Sequence, residues 1–170
     1  MADQQHLGIL QQGRMVWNKW REQYPNITPN LSGADLSLAE LSGVKLEEVD
    51  LRETDLFRAD FSGADLSLAN LSGANLDGAD LRETILSRTI LNKATLRLVT
   101  LSRANLSRAN LSRAELFKAN LNEANLNGAE LWEVNFTEAD LTKADLTGAN
   151  YNGPRKLNTE EGRNKIYSRR

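Results

Sequence analysis

The chain holds one histidine, His6, and no cysteine. Thiolate metal sites, disulfides and a cysteine nucleophile are therefore excluded. Nothing at metal-ligand or triad spacing accompanies His6, which falls at the mobile start of a predicted helix. Acids are plentiful, but paired-carboxylate catalysis needs a cleft that raises one pKa. Asp35, Asp65, Asn75 and Asn105 each stand one residue before a leucine. At such recurring positions Asp and Asn side chains are expected to bond nearby backbone in turns. Bases are unevenly spread. Residues 82–118 carry eight against two acids, whereas 33–80 carry three against eleven and 119–151 one against six. The sequence thus offers no catalytic, cofactor-binding or metal-ligating residue. It predicts a protein that is not an enzyme, with acidic, basic and acidic bands along its length.

The element that must position these residues runs from Leu31 to Tyr151. A bulky apolar centre recurs there every fifth position, 25 times: 22 Leu, Phe61, Phe136 and Tyr151. Two residues before each later centre sits Ala, 17 times in 24, and otherwise Val or Thr. On an α-helix five residues advance the direction by about 140°, scattering the leucines round the cylinder. On a strand an odd spacing sends successive leucines to opposite faces. A chain that turns a corner in every quintet buries them all. The seven glycines of the tract, and Gly153 just past it, lie two residues after a centre, the third position of a turn that needs φ > 0. Turns every five residues make a solenoid. Its core is expected to be layers of Leu and Ala with no polar side chain pointing in, which leaves no room for a cofactor.

The units Ser32-Gly33-Ala34-Asp35-Leu36, Ser72-Gly73-Ala74-Asn75-Leu76 and Thr147-Gly148-Ala149-Asn150-Tyr151 resemble the A(D/N)LXX pattern of the pentapeptide repeat family over about 120 of the 170 residues. The resemblance implies an all-β solenoid, a right-handed quadrilateral parallel β-helix with four repeats per coil. About six coils at ~4.8 Å each then make a rod roughly 29 Å long. Some members of that family protect DNA gyrase by resembling a DNA duplex, and dimerise through the C-terminal end. DNA-mimic binding to a topoisomerase is therefore one alternative function, and monomer or C-terminal dimer the alternative states.

With 20 residues per coil, Glu83, Arg103, Glu123 and Lys143 form one column of alternating sign. Arg113 with Glu133, Lys118 with Glu138, and Asp77 with Arg97 pair likewise, each worth ~0–1 kcal/mol at a surface. Arg88 and Arg108 stack on each other without an acid, an arrangement suited to a carboxylate or phosphate. Apolar residues also break the surface pattern. Phe57, Phe117 and Trp132 occupy positions beside the corners, Leu38, Leu68 and Leu98 lie one residue further on, and Ile85 and Ile90 replace the usual Asp or Asn. Ile85, Ile90 and Leu98 with Arg88 and Arg108 are read as one partner-binding face.

Residues 1–30 are expected to cap the rod. One amphipathic helix over 3–23 places Ile9, Leu10, Gly13, Val16, Trp17 and Trp20 on a single stripe. Asp3 caps its start and Pro25 ends it. Trp17 and Trp20 are expected to cover Leu31 and Leu36. Residues 31–151 form the β-helix, and 152–170 a basic tail or short cap: either a frayed tail, or a short helix over 159–167 with Leu157, Ile166 and Tyr167 covering Tyr151. No segment can span a bilayer, and without a secretory signal the cytoplasm is expected. The function expected is a non-enzymatic scaffold that binds a protein partner on the outer faces of the rod. Nucleic-acid or anion binding through the basic band is the remaining alternative.

Overall fold

The structure, a computed structural model, describes residues 1–151. The expected tail over 152–170 lies outside the described residues. From residue 30 onward, 21 parallel bridges link residue i to residue i+20, from Asn30 with Asp50 to Glu130 with Asn150. A constant offset of 20 with turns every five residues means four sides per coil. Side 1 carries centres Leu31, Leu51, Leu71, Leu91, Leu111 and Leu131. Side 2 starts at Leu36, side 3 at Leu41 and side 4 at Leu46. The chain is a right-handed quadrilateral β-helix.

Each corner is a four-residue turn. Ala34 N–H donates to Leu31 O (3.1 Å), and the third residue, Gly33, has φ 67°. Only this residue is left-handed, which is type II geometry. Glycine is the exception at this place: 17 of the 24 turns put a non-glycine there, from Leu38 (φ 60°) to Lys143 (φ 57°). An L-residue in that conformation costs roughly 1–2 kcal/mol. It is held there because its N–H donates to the next coil, as Leu38 N–H does to Phe57 O at 2.8 Å. Centres and the outward residues before them complete the ladder; Leu36 N–H donates to Asp55 O and Asp55 N–H to Ala34 O.

The centres and the small residues before them are buried almost without exception. The core is not wholly apolar, however. Thr54, Thr84 and Thr89 are buried, and their hydroxyls donate to Leu31 O, Phe61 O and Leu66 O at 3.1, 2.9 and 2.7 Å. Threonine fits because the carbonyl of the centre one coil below, already bonded in its turn, has a second lone pair.

The N-terminal segment forms two helices rather than one: α1 (Gln4–Leu10) and α2 (Arg14–Gln23). Gly13, at φ 97°, makes the break. Asp3 caps α1, its Oδ1 accepting from Gln5 N–H and His6 N–H. The kink divides the expected stripe. Leu10 and Trp17 are buried, whereas Val16 is exposed and Ile9 and Trp20 only partly covered.

These helices stand in for a missing coil. In the ladder, outward residues accept from and donate to the coil beneath. At side 4 of the first coil, Trp17 Nε1 donates to Lys45 O (2.6 Å) and Asn18 Oδ1 accepts from Lys45 N–H (2.9 Å). Arg14 reaches Ser42 O and Arg21 reaches Glu47 O at the flanking corners. At side 1, Asp3 N–H donates to Asn30 O (2.9 Å), and Asn30 N–H donates to His6 Nδ1 (3.2 Å). The proton of neutral His6 therefore sits on Nε2. Far from being mobile, His6 anchors α1, half-buried with its ring 5.3 Å from that of Trp20. Satisfying this edge removes a template for end-to-end strand pairing.

Candidate functional site

A packed core leaves only the outer surface for function. Along each side one residue per repeat faces out, and two stand at each corner. The outward Asp and Asn are occupied locally. Asp35, Asp65, Asn75 and Asn105 accept through Oδ1 from the N–H two residues on, in Ser37, Ser67, Asp77 and Ser107. They are turn staples, as their spacing suggests.

The charged columns pair as the 20-residue register requires. On the edge between sides 3 and 4, Arg103 lies 3.7 Å from Glu83 and 3.1 Å from Glu123, and Lys143 meets Glu123 at 3.1 Å. Arg113 with Glu133 (2.8 Å) and Lys118 with Glu138 (3.4 Å) follow, and Arg97 grips Asp77 through Nε at 2.8 Å. Two further pairs are invisible to a 20-residue rule. Arg52 and Arg82 fold back on Asp50 and Asp80, two residues before each. Signal for these did exist in the matching Asp-Leu-Arg-Glu-Thr segments at 50–54 and 80–84.

These guanidinium bonds hold the Asp50 and Asp80 carboxyls below the usual carboxylate range, and the Thr142 hydroxyl does the same for Asp140. A depressed folded-state pKa means stability that is complete above the unfolded carboxylate pKa and lost as pH falls through the folded one. The urea midpoint should therefore drop between pH 5 and pH 3. Arg82→Ala should flatten that slope while lowering neutral-pH stability only slightly, because Arg82 is largely exposed and its ion pair is screened by solvent. An unaltered slope in Arg82→Ala would assign the acid sensitivity elsewhere.

The apolar candidates do not form one face. Ile85 faces out from side 4 and Ile90 from side 1, on either side of the edge that carries Arg88 and Arg108. Leu98 is ten positions on in a 20-residue turn, so it lies on the diagonally opposite edge, between sides 2 and 3. There it joins Phe57 and Phe117. That edge repeats one grouping. Leu38 N–H bonds Phe57 O with Arg58 5.1 Å above the Phe57 ring, and Leu98 N–H bonds Phe117 O with Lys118 5.1 Å above the Phe117 ring. The two groups are 60 residues apart, or three coils. Leu38 and Leu98 are 67% and 62% exposed. Trp132, on the edge between sides 1 and 2, lies beneath Arg113, 4.3 Å from its ring centroid.

Arg88 and Arg108 make no ion pair or side-chain hydrogen bond among the described residues. The stem of Arg108 lies against Gly128 in the coil above. Lys93 is likewise unpaired among the described residues. No group of three or more His, Asp or Glu there could hold a metal ion. No helix among them is long and apolar enough to cross a membrane. On the cap, an open groove of about 530 Å³ runs between the helices beside Ile9, Met15, Val16 and Trp20.

Five-residue repeats, four to a coil, with a packed interior and a patterned exterior define a β-solenoid. Matches to the family model for pentapeptide repeats, eight copies, span residues 34–73, 50–88, 64–103, 86–116 and 114–150. The chain belongs to the pentapeptide repeat family. It is similar to HetL, involved in heterocyst differentiation regulation in the cyanobacterium Nostoc sp. strain PCC 7120, at 27% identity over 71% of this chain and 75% of that one (TM-score 0.44). It is also similar to Rfr23 of the cyanobacterium Cyanothece 51142, at 28% over 81% and 95% (TM-score 0.40). A third similar structure is a pentapeptide repeat protein of the Arabidopsis thaliana thylakoid lumen, at 29% over 69% and 68% (TM-score 0.36). No curated protein matches the chain.

Proposed function

We propose that this protein is a non-enzymatic interaction scaffold that binds a protein partner on the outer surface of its rod. The observation that carries the reading is the doubled Leu–Phe–cation group on the edge between sides 2 and 3. Leu38 and Leu98 occupy left-handed corner positions where a side chain is strained, and Phe57 and Phe117 occupy corners that elsewhere, Trp132 apart, hold Ser, Thr, Asn or charged residues. None of the four builds the core. Exposed aromatic and aliphatic residues beside cations are the usual anchors of protein contacts. A DNA-mimic role is less favoured, because alternating columns such as Glu83, Arg103, Glu123 and Lys143 interrupt any continuous acidic surface.

The test is a quantitative pull-down from lysate of the source organism. Wild type is compared with Leu98→Asp/Phe117→Asp and with Ile85→Asp/Arg88→Glu; Leu98, Ile85 and Arg88 are exposed and Phe117 half-buried, and all four lie outside the core. A defined protein retained by wild type and reduced at least tenfold by one of the two variants is expected. An identical retained set for all three overturns the reading.

A further inference from the structure

Side 1 at mid-height combines features found together on no other side of the rod among the described residues. Ile90 faces out, 38% exposed, where the neighbours in its column are Asn70 and Asn110. Arg88 stands at the corner before it and Lys93 at the corner after it. Arg108 stacks one coil above Arg88, ~4.8 Å away. None of the three cations has an acid within 4 Å among the described residues. Arg113 completes the rectangle above Lys93. It keeps Glu133 at 2.8 Å and covers Trp132, so an aromatic face lies at the same border.

This is a departure from how the rest of the surface is organised. Elsewhere on the rod Arg103, Lys118 and Lys143 each have a glutamate in the adjacent coil, Arg52, Arg82 and Arg97 are gripped by aspartates, and Arg58, the one other rod cation without an acid within 4 Å among the described residues, lies over the Phe57 ring. Stacked like charges repel, so Arg88 over Arg108 costs stability that a surface salt bridge would have supplied. Acids bound the patch at both ends. Below, Asp50 is engaged by Arg52; above, Glu130 accepts from Asn150 Nδ2 at 2.8 Å. The open basic window from Asn70 to Asn110 is therefore about 10 Å tall, the length of roughly three extended residues.

We propose that this window binds a short acidic stretch of a partner protein, in which carboxylates flank an aliphatic side chain. It rests on the reading of the rod as an interaction scaffold and adds the chemistry of the partner. Arg88 and Arg108 offer guanidinium forks to one carboxylate, and Lys93 offers an ammonium to a second across the side. Ile90 supplies the apolar floor between them. A nucleic acid fits less well, since the window's centre is aliphatic and the Trp132 face is already covered by Arg113.

The probe is a fluorescein-labelled peptide of alternating glutamate and leucine, followed by anisotropy against the full chain. An all-glutamate peptide, an alternating lysine–leucine peptide and a single-stranded oligonucleotide of equal length serve as competitors. Saturable, salt-sensitive binding of the glutamate–leucine peptide is expected, weakened about tenfold by Arg88→Glu or Arg108→Glu and by Ile90→Asp. Arg103→Glu, on the edge between sides 3 and 4, should bind as wild type does. Circular dichroism of each variant shows that its coil is intact, and Arg108→Gln gives a milder loss in the same direction. No saturable binding, equal binding of the all-glutamate peptide, or tighter binding of the oligonucleotide overturns the proposal. A partner lost only by Leu98→Asp/Phe117→Asp, with no peptide binding here, overturns this window and leaves the scaffold reading standing.

Discussion

Trp17→Ala should lower unfolding free energy by about 3–5 kcal/mol. The indole is fully buried at the junction of α2 with the first coil. Deleting it opens a cavity beneath a coil that has no other layer under it. Its Nε1 also supplies the bond to Lys45 O that a preceding coil would have made. Trp17→Phe keeps one ring in the core while losing the donor and part of the indole's volume, and should cost less, about 1–3 kcal/mol. Because each coil touches only its neighbours, the damage should be local. Hydrogen exchange should accelerate over residues 31–50 and remain slow over 91–130. The bared ladder of the first coil should also pair with others, so self-association at high concentration is expected in Trp17→Ala. Equal losses in the two variants would mean that the ring itself does not hold the cap.

The contrast between rod and cap shows what a sequence displays and what it conceals. Period five excludes helix and strand by itself, because the direction of Leu36 relative to Leu31 follows from backbone geometry. Four repeats per coil, a number that the family resemblance implies and the period does not, then place Arg103 between Glu83 and Glu123. The kink at Gly13 is different in kind. A single glycine within an amphipathic stripe is tolerated in many helices, and the break here follows from docking. Arg14, Trp17, Asn18 and Arg21 must all reach one edge of the first coil, which a straight helix from Asp3 cannot do while Asp3 and His6 hold Asn30. His6 shows the same limit. Its composition value as a lone histidine argues against chemistry, but the bond from Asn30 N–H depends on a contact 24 residues away.

The candidate surfaces were legible residue by residue and not as assemblies. Ile85, Ile90 and Leu98 are all anomalous against the repeat, so each stands out in the sequence. Grouping them requires counting corners as well as repeats. Thirteen residues separate Ile85 from Leu98, which carries the chain round more than half a coil to the far edge, whereas Leu98 and Phe117, nineteen apart, are neighbours. Closeness along a solenoid's surface follows position modulo 20, and sequence proximity misleads. The buried threonines were hidden for another reason. Threonine and valine share a shape, and only the second lone pair of the carbonyl below distinguishes a satisfied hydroxyl from a costly one.

The same nearest-neighbour logic governs the core. Phe61→Ala should cost about 3–5 kcal/mol, because Phe61 is fully buried with leucine centres in the coils on either side, Leu41 and Leu81. Its neighbours in the column, Leu41 and Leu81, are tied to fixed ladder bonds, with Leu41 N–H to Asp60 O at 2.7 Å and Leu81 N–H to Thr100 O at 2.7 Å. A backbone pinned on both sides cannot collapse into the void, which puts the loss toward the upper part of that range. Phe61→Leu restores the repeat's usual centre and should cost only about 1 kcal/mol. Thr84 supplies an internal control. Its hydroxyl donates to Phe61 O, a main-chain atom that survives both substitutions, so Thr84→Val should have the same effect in wild type and in Phe61→Leu. Urea denaturation of the variants decides the matter. If alanine and leucine at position 61 lose equally, the rod tolerates a void at its axis, and the dry packed interior assigned to it is wrong.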